Sequence, residues 1–250
     1  MVSTVGTDAA EINRRFYDTL WAETSLIGPE RFNTWPLVCE LVAAGARRLE
    51  IGPGLRPRLP IAGTCVVEIS RAALSGLARQ GGVAVQATAA ALPFPDAAFD
   101  LAMAMDIIEH VEDDEPVFRE LARVVRPGGT LVLSSPLHPE RWTRFDDVVG
   151  HLRRYRPQEL LARLARHGLT LERSAIFGMQ PRSRVLSNLG AWGLTHRRAQ
   201  AMRWYNRVFM PVALRFAKGL RLVPGMVDVT RVDEVLLVCQ RIPAPKSGTA

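Results

Sequence analysis

The residues best equipped for chemistry are a glycine turn and a carboxylate that follow two predicted strands. The turn Gly52-Pro53-Gly54 comes directly after the apolar segment 49–51. Glycine lets a ligand approach the backbone closely, because it has no Cβ and tolerates positive φ. Glu68 ends the next predicted strand, where a carboxylate can accept two hydrogen bonds from a ribose diol. Together they predict a nucleotide-like ligand, although a plain turn and a solvated strand-end carboxylate would show the same residues.

The residues after the turn argue against two common nucleotide sites. A dinucleotide site has the sequence G-x-G-x-x-G, whose last glycine allows the helix to pack closely on the strand. Pro57 stands at that position here, which argues against NAD or FAD. The chain also has no G-x-x-x-x-G-K-[ST] phosphate loop.

Alternating strands and helices must position the turn and the carboxylate. The order of elements indicates an α/β fold, a doubly wound and mostly parallel sheet with ligands at the carboxyl ends of its strands. We expect the last strand to insert beside the sixth, and segment 52–63, with three prolines, to form an abbreviated, irregular crossover. Predicted strands are 47–51, 64–69, 83–86, 100–105, 130–135, 169–177 and 231–242; predicted helices are 8–27, 35–44, 71–80, Asp113 or Asp114 to about 126, and 157–167.

The chain divides by pattern into a core and outer parts. Residues 138–151 are predicted to be a polar loop, and 178–230 two helices, the second kinked at Pro211. All five tryptophans fall in or beside the outer parts, which suits a pocket for a flat or apolar ligand or a small core under a cap. The predicted division is 1–46 as an N-terminal helical lid, 47–177 with 231–243 as the core, 178–230 as a helical cap, and 244–250 as a disordered tail.

Composition and charge limit the cellular compartment and the kinds of partner that are expected for the chain. Its 250 residues are 48% hydrophobic, without an apolar run long enough to span a membrane, and its three cysteines show no metal or CxxC spacing. A soluble, cytoplasmic protein with buried thiols is expected. Residues 141–231 hold 18 Arg and Lys against 5 Asp and Glu, a net charge of +13. This excess indicates either a solvated face or an anionic partner, such as a phosphate, a carrier protein or an acidic membrane surface.

Four segments in register resemble the class I S-adenosylmethionine-dependent methyltransferases. They read LEIGPG, VVEIS, ALPFPDAAFDLAMAMDIIEHVED and LARVVRPGGTLVLSSP, within 47–168. They are most similar to the methyltransferase type 11 branch, typified by small-molecule enzymes of quinone and natural-product pathways. The resemblance implies a seven-stranded sheet whose last strand is antiparallel, and S-adenosylmethionine as cofactor.

The resemblance also implies roles for individual residues at the cofactor. Glu50 would orient the amino group of the cofactor, and Glu68 would hold its ribose hydroxyls. The family commonly has aspartate where Thr88 stands, which leaves the contact to the adenine amino group weaker here. The other cofactor-binding residues implied by the resemblance are Gly52, Pro53 and Gly54 at the methionine part, Thr88 and Ala89 beside adenine, and Ala104 and Met105 at the amino acid end.

Three histidines are candidates for the base that an oxygen or nitrogen acceptor needs. His110 follows the fourth strand, His138 follows the fifth, and His151 opens GHLRRY. A histidine suits this role because its pKa is ordinarily near neutrality. A helix cap explains His110 equally well, and a loop packed over the cleft explains His151. Tyr155, Asp146 and Asp147 are secondary candidates, and no ligand pair has metal spacing along the chain, so no metal is predicted.

The leading hypothesis is methyl transfer to a small, partly apolar acceptor, with or without an anionic group, and O-methylation is favoured. A related binding or regulatory protein without turnover is the second hypothesis. Nucleic-acid methylation is the third, disfavoured by scarce lysine and the lack of a D/N-P-P-Y/F motif. A basic amphipathic helix at 197–222 adds the hypothesis of peripheral contact with an anionic membrane. The oligomeric state is not predicted.

Overall fold

The structure is a computed structural model of the chain. It describes residues 17, 18, 21, 24–43, 45–178, 192, 193, 196, 197, 200 and 204–243. The predicted start of the first helix, most of the first cap helix and the predicted tail lie outside the described residues.

A single mixed sheet forms the centre of the described part of the chain. Its strands are β1 (Arg48–Ile51), β2 (Cys65–Glu68), β3 (Val83–Gln86), β4 (Phe99–Met105), β5 (Val125–Pro136), β6 (Leu169–Ile176), β7 (Val223–Pro224) and β8 (Glu234–Arg241). They lie in the order β3-β2-β1-β4-β5-β8-β6-β7. Neighbours from β3 to β5 pair in parallel, whereas β8 is antiparallel to both β5 and β6.

The predicted fold class is confirmed, including the antiparallel last long strand inserted between β5 and β6. The described residues form eight strands, one more than the seven predicted. The additional strand, β7, pairs two residues with β6 at the edge of the sheet. Two residues are too short for a period-2 pattern, which is why the sequence does not predict this strand.

Helices cover the sheet and are mostly shorter than predicted. The α-helices are α1 (Trp35–Leu41), α2 (Arg71–Ala78), α3 (Glu115–Val124), α4 (Arg144–Val149), α5 (Pro157–Arg166) and α6 (Met210–Phe216). In the described part of the chain, three 3-10 turns (Pro29–Arg31, Ile108–His110, Pro139–Arg141) and a π-helical turn (Tyr205–Phe209) accompany them. The π-turn passes into α6 directly before Pro211, the position of the predicted kink.

Two local predictions are wrong, and a third holds for only one of its two residues. Residues 24–28 are not helical, so the first helix cannot extend to 27. The segment 138–151 is not a loop throughout, because α4 lies within it, started by a capping box of Thr143 and Asp146. Of the two residues expected to cap α3, Asp113 accepts from the Glu115 N–H at 3.1 Å. The Asp114 carboxylate does not cap the helix, because it accepts from the Tyr155 hydroxyl and from Arg163. Long-range partners therefore override a local capping signal.

The irregular crossover between β1 and β2 is confirmed. No described residue from 52 to 64 is helical. The crossover is held by burial of Leu59 and by Glu50, whose carboxylate accepts from the backbone of Arg58 and Leu59. Buried side chains thus replace the helix that usually connects parallel strands.

Alternation along the strands divides the core into two layers. In β4, Leu101 and Met103 face one side with α1, whereas Ala102 and Ala104 face the side covered by α3 and α5. Both faces are apolar, as expected for strands buried between helices. The sheet thereby brings the carboxyl ends of β1 to β4 to one edge, where the polar residues collect.

Two further sequence expectations concern surfaces. Cys239 is buried, but Cys39 is exposed and Cys65 only partly buried, so the expectation of buried thiols is wrong for Cys39. Among the residues that the structure describes, no helix is long and apolar enough to cross a membrane.

Candidate functional site

The glycine turn lies where the sequence places it, at the carboxyl end of β1. Gly52 and Gly54 both have positive φ, +63° and +57°. A Cβ at Gly52 would overlap the Ile107 side chain, and one at Gly54 would overlap the Trp21 ring. Both positions therefore require glycine for conformation and for close packing.

Glu68 ties this turn to the end of β2. Its Oε2 accepts from the Gly54 N–H at 2.9 Å, and its Oε1 accepts from the Ile69 and Ser70 N–H groups at 2.8 and 3.1 Å. Burial raises the pKa of this carboxyl, while the three hydrogen bonds oppose that shift. A carboxylate has about four acceptor positions, so one on Oε2 remains for a hydroxyl of a ligand.

Glu50 is turned toward the crossover. It is buried, and its two oxygens accept from the Arg58 and Leu59 N–H groups at 2.7 and 3.1 Å. Burial raises the pKa of Glu50 to about 7, although both hydrogen bonds work against the shift. Each oxygen keeps one acceptor position, which leaves the predicted contact with an amino group chemically available.

The remaining predicted cofactor residues lie along the same edge. Ala104 and Met105 end β4, beside β1 in the sheet, and Ala104 pairs with Ile51. Thr88 and Ala89 follow β3, where Thr88 is exposed and its carbonyl accepts from Ala91 N–H at 3.2 Å. The structure thus brings every predicted cofactor residue to the carboxyl edge of four adjacent strands, as a doubly wound sheet requires.

Beyond β4 the chain enters a strained, acidic segment. Asp106 has φ of +54°, unusual for a residue other than glycine. Its N–H donates to the Ser134 hydroxyl, which in turn donates to the Asp106 carboxylate. Glu109 is fully buried, and neither of its carboxylate oxygens has a hydrogen-bond partner. Burial, and then the charge of Asp106, raise the pKa of Glu109 well above its usual range.

His110 and His151 meet beside Glu109. Their ring centroids are 4.8 Å apart in an edge-to-face arrangement, and His110 Nδ1 lies 3.2 Å from the Gly150 carbonyl. Burial, and then the neighbouring His151, lower the pKa of His110 to about 4. His151 Nε2 lies 4.0 Å from Glu109 Oε1. Two histidines that are far apart in sequence therefore share one site with a buried carboxylate.

Asp146 orients His151 from the other side. Its Oδ1 lies 2.8 Å from His151 Nδ1, and its two oxygens accept from Arg154 Nε and NH2 at 2.8 Å each. Burial opposes ionisation of Asp146, but the hydrogen bonds from His151, Arg154 and Thr143 outweigh it and hold its pKa below the usual range. A bidentate arginine pair makes Asp146 a fixed anchor.

His138 has partners elsewhere. It adopts positive φ of +64°, and its Nε2 lies 2.7 Å from the Val229 carbonyl, with Nδ1 3.4 Å from Glu140. Tyr155 is buried and donates its hydroxyl to Asp114, so it anchors the segment after α4. Asp147 is exposed and accepts from the Trp142 indole N–H. Contacts within the protein thus account for these three candidates.

Sequence reasoning missed the roles of Tyr17 and Glu109. The Tyr17 ring lies 6.3 Å from the His110 ring, and its pKa is raised by burial and then by Glu109, Glu68 and Asp106. Tyr17 is therefore close enough to both Glu68 and His110 to interact with each of them. The signal for Glu109 is its place next to His110, just beyond a buried strand, but the partner His151 lies in another segment.

The prediction of no metal rests on the spacing of ligands along the chain. The fold brings together ligands that are distant in sequence. One donor atom each of Glu109, His110 and His151 lies within 4.8 Å of the others. These three side chains form a group that is chemically able to bind a metal ion.

Comparisons with known proteins point to one family. Residues 51–133 match the model of a family described as "Methyltransferase domain". An uncharacterized methyltransferase of Mycobacterium sp. (strain JLS) is 32% identical over 129 residues, 48% of this chain and 49% of the relative. The 27-O-demethylrifamycin SV methyltransferase of Amycolatopsis mediterranei is 49% identical over 47 residues, 19% of this chain and 17% of the relative.

A solved structure from Thermotoga maritima agrees with the fold. It is a SAM-dependent methyltransferase described as a possible histamine N-methyltransferase, with a TM-score of 0.57 at 16% identity, covering 92% of this chain and 95% of that one. At this identity the likeness shows the fold alone. The matched segments span at most about half the length of the two curated relatives.

Proposed function

We propose, from the membership of this chain in the class I S-adenosylmethionine-dependent methyltransferases of the type 11 branch, that it methylates a small molecule. The observation that carries the proposal is the edge formed by the glycine turn, Glu68 and the β4 end, beside a partly buried histidine pair. An edge of this kind combines a place for a nucleoside with groups that can activate an acceptor.

The residues present fit the cofactor that the family implies. Glu68 keeps an acceptor position for a ribose hydroxyl, and Glu50 keeps positions for an ammonium group. The backbone of Gly52–Gly54 would lie along the methionine part, and Thr88 with Ala89 would flank the adenine. When bound, S-adenosylmethionine supplies a methyl group on a positively charged sulfur, ready for in-line displacement by the acceptor.

The protein contributes alignment and exclusion of water. Tyr17 and Trp21 lie over the histidine pair and the glycine turn, which suits an acceptor with an apolar or aromatic body. Asp106 and Glu109 disfavour an anionic group at the reacting end, so an anionic group on the acceptor would lie farther out. Holding the two reactants in line supplies much of the rate enhancement in such a reaction.

Among the three candidate histidines, His151 is best placed to assist removal of the acceptor proton. Asp146 fixes its Nδ1, which leaves Nε2 directed toward Glu109. An oxygen acceptor gains most from such assistance, because a neutral hydroxyl is a poor nucleophile. We therefore favour O-methylation at this site.

Cofactor binding and turnover test the proposal separately. Calorimetric titration with S-adenosylhomocysteine should show binding that Glu68→Gln weakens about 100-fold, equivalent to about 2.7 kcal/mol. Glu172→Gln, which changes an exposed carboxylate on β6, should bind as the parent does. Release of S-adenosylhomocysteine in the presence of a panel of phenols and other hydroxyl compounds would support turnover. Binding without turnover on any panel would favour a regulatory protein, and no binding would reject the proposal.

We further propose that one surface contacts an anionic membrane. Trp204, Val208, Val212 and Phe216 follow a four-residue spacing and are 46% to 76% exposed. Arg207, Arg215 and Lys218 lie among them and are exposed. Apolar side chains flanked by cations are typical of helices that lie in an anionic interface.

Vesicle sedimentation tests this contact. The chain should pellet with phosphatidylglycerol vesicles and remain in solution with phosphatidylcholine vesicles. Val212→Asp with Phe216→Asp should abolish pelleting, whereas Ile242→Asp, an equally accessible site at the end of β8, should not. Equal pelleting with both vesicle types, or none, would reject the membrane contact.

A further inference from the structure

Three donor side chains from two separate segments converge beside the proposed cofactor edge. Glu109 and His110 belong to the 3-10 turn after β4, and His151 follows α4. The two segments are joined, because Leu152 N–H donates to the Glu109 carbonyl at 2.8 Å and His110 Nδ1 lies 3.2 Å from the Gly150 carbonyl. The convergence is therefore built into the backbone.

Both imidazoles are oriented as metal ligands usually are. A ligating histidine commonly donates one ring N–H to a carboxylate or a backbone carbonyl, which leaves the other nitrogen for the metal. His151 Nδ1 faces Asp146, and His110 Nδ1 faces Gly150, so Nε2 remains on each ring. Asp146 is held in turn by Arg154.

Glu109 supplies a second, independent observation. Its side chain is 1% exposed, and both oxygens are without a hydrogen-bond partner. An unsatisfied buried carboxylate destabilises the folded chain unless it is neutralised by a proton or a cation. Its Oε1 is directed toward His151, so a cation between them would satisfy all three side chains.

We infer that Glu109, His110 and His151 bind a divalent first-row metal ion of the Zn²⁺ or Mn²⁺ class. Two imidazoles and one carboxylate are the donor set that such ions prefer, whereas Mg²⁺ and Ca²⁺ prefer oxygen alone. Metal bonds of about 2.1 Å place neighbouring donors roughly 3.4 Å apart. The donors, now within 4.8 Å of one another, would close by side-chain rotation. Three protein ligands leave a position open.

The function of this ion rests on the proposed methyl transfer. A hydroxyl of the acceptor would occupy the open position, where the ion lowers its pKa. The O–H bond breaks, its proton passes to water, and its electron pair stays on the oxygen, which the ion holds beside the cofactor edge. His151 then assists as a ligand rather than as a free base.

Metal binding can be measured without turnover. The chain, stripped with a chelator, should bind one Co²⁺ per molecule, with the visible absorption bands of a low-coordinate nitrogen and oxygen site. Glu109→Gln and His151→Gln should each weaken binding at least tenfold, and Asp146→Asn about 10- to 100-fold. His196→Asn removes an exposed histidine outside the cluster and should bind as the parent does. Circular dichroism melting would verify that each variant is folded.

The outcomes separate this inference from the proposed function. Absence of Co²⁺ binding in a folded parent that binds S-adenosylhomocysteine would overturn the metal site alone. Binding that survives Glu109→Gln and disappears in His196→Asn would reveal surface coordination and also overturn it. Full methyl transfer by the chelated chain would assign His151 as a free base, against the inference. Stoichiometric Co²⁺ binding that the cluster variants remove would support it, even where cofactor binding fails.

Discussion

Glu68 and Glu109 are two buried carboxylates at the same edge of the sheet, held in opposite ways. Glu68 accepts three backbone hydrogen bonds and organises the glycine turn. Glu109, one element away, has none on either oxygen. The satisfied carboxylate stabilises the turn that would hold a cofactor, whereas the unsatisfied one costs stability. An unsatisfied buried group in a folded protein calls for an explanation, and the cation proposed at Glu109 would provide one.

Loss of the Asp146–Arg154 pair, which holds His151 beside Glu109, should have the largest effect on stability. Asp146→Ala removes the partner of Arg154, whose guanidinium is almost fully buried. An unpaired buried charge costs about 3–5 kcal/mol of unfolding free energy. The neighbouring exposed Asp147→Ala should cost no more than about 0.5 kcal/mol. Urea denaturation of both variants measures the difference, and equal losses would show that the Asp146 pair is not structural.

The raised pKa of Glu50, near the glycine turn, should make the unfolding free energy depend on pH. Its pKa is raised from 4.5 to about 7 by burial, so between these values the folded chain holds a proton that the unfolded chain has released. Unfolding free energy should therefore fall as pH rises from about 4.5 to about 7, by up to about 3 kcal/mol. Above pH 7 this contribution is constant.

Comparison with Glu50→Gln isolates that group, since other titrations cancel in the difference between the two proteins. The parent should lose stability relative to this variant across the window, while Glu172→Gln should track the parent. A difference that does not change with pH would mean that Glu50 ionises normally in the folded chain.

The changes in unfolding free energy should have opposite signs when Glu68 and Glu109 are each replaced by neutral glutamine. In the presence of a chelator, Glu68→Gln should lose about 1–3 kcal/mol of unfolding free energy, because backbone donors lose an ionised acceptor. Glu109→Gln should gain about 1 kcal/mol, because the folded chain no longer holds a buried carboxyl group without a hydrogen-bond partner. Thermal and urea unfolding at pH 8 measure both. Equal losses in the two variants would contradict the contrast.

The glycine turn should show the smallest effect. Gly52→Ala forces a positive φ and a contact with Ile107, at a cost of about 1–2 kcal/mol. Gly168→Ala provides a matched control, since its φ is also positive but its Cβ would meet nothing within 4 Å. The excess loss in Gly52→Ala reports the close contact. Equal losses in both variants would mean that the turn needs glycine only for conformation.

Local sequence patterns determined the overall architecture of this protein. Apolar strands separated by helical segments, the glycine turn and Glu68 predict a doubly wound sheet with a ligand edge, and the prolines of segment 52–63 predict the irregular crossover. These features follow from neighbouring residues, because strand and turn preferences act over a few positions. The edge strand β7, with only two residues, carries no such pattern.

Only the tertiary structure decided which histidines lie together. His138 follows the predicted fifth strand as directly as His110 follows the fourth, yet its ring is engaged by the Val229 carbonyl. His151 reaches His110 because α4 and the Arg154–Asp146 pair place its loop beneath the β4 end. The burial of Glu109 without a partner depends on that same packing. Sequence spacing cannot report contacts between distant segments, because they are set by how the packed elements meet in space.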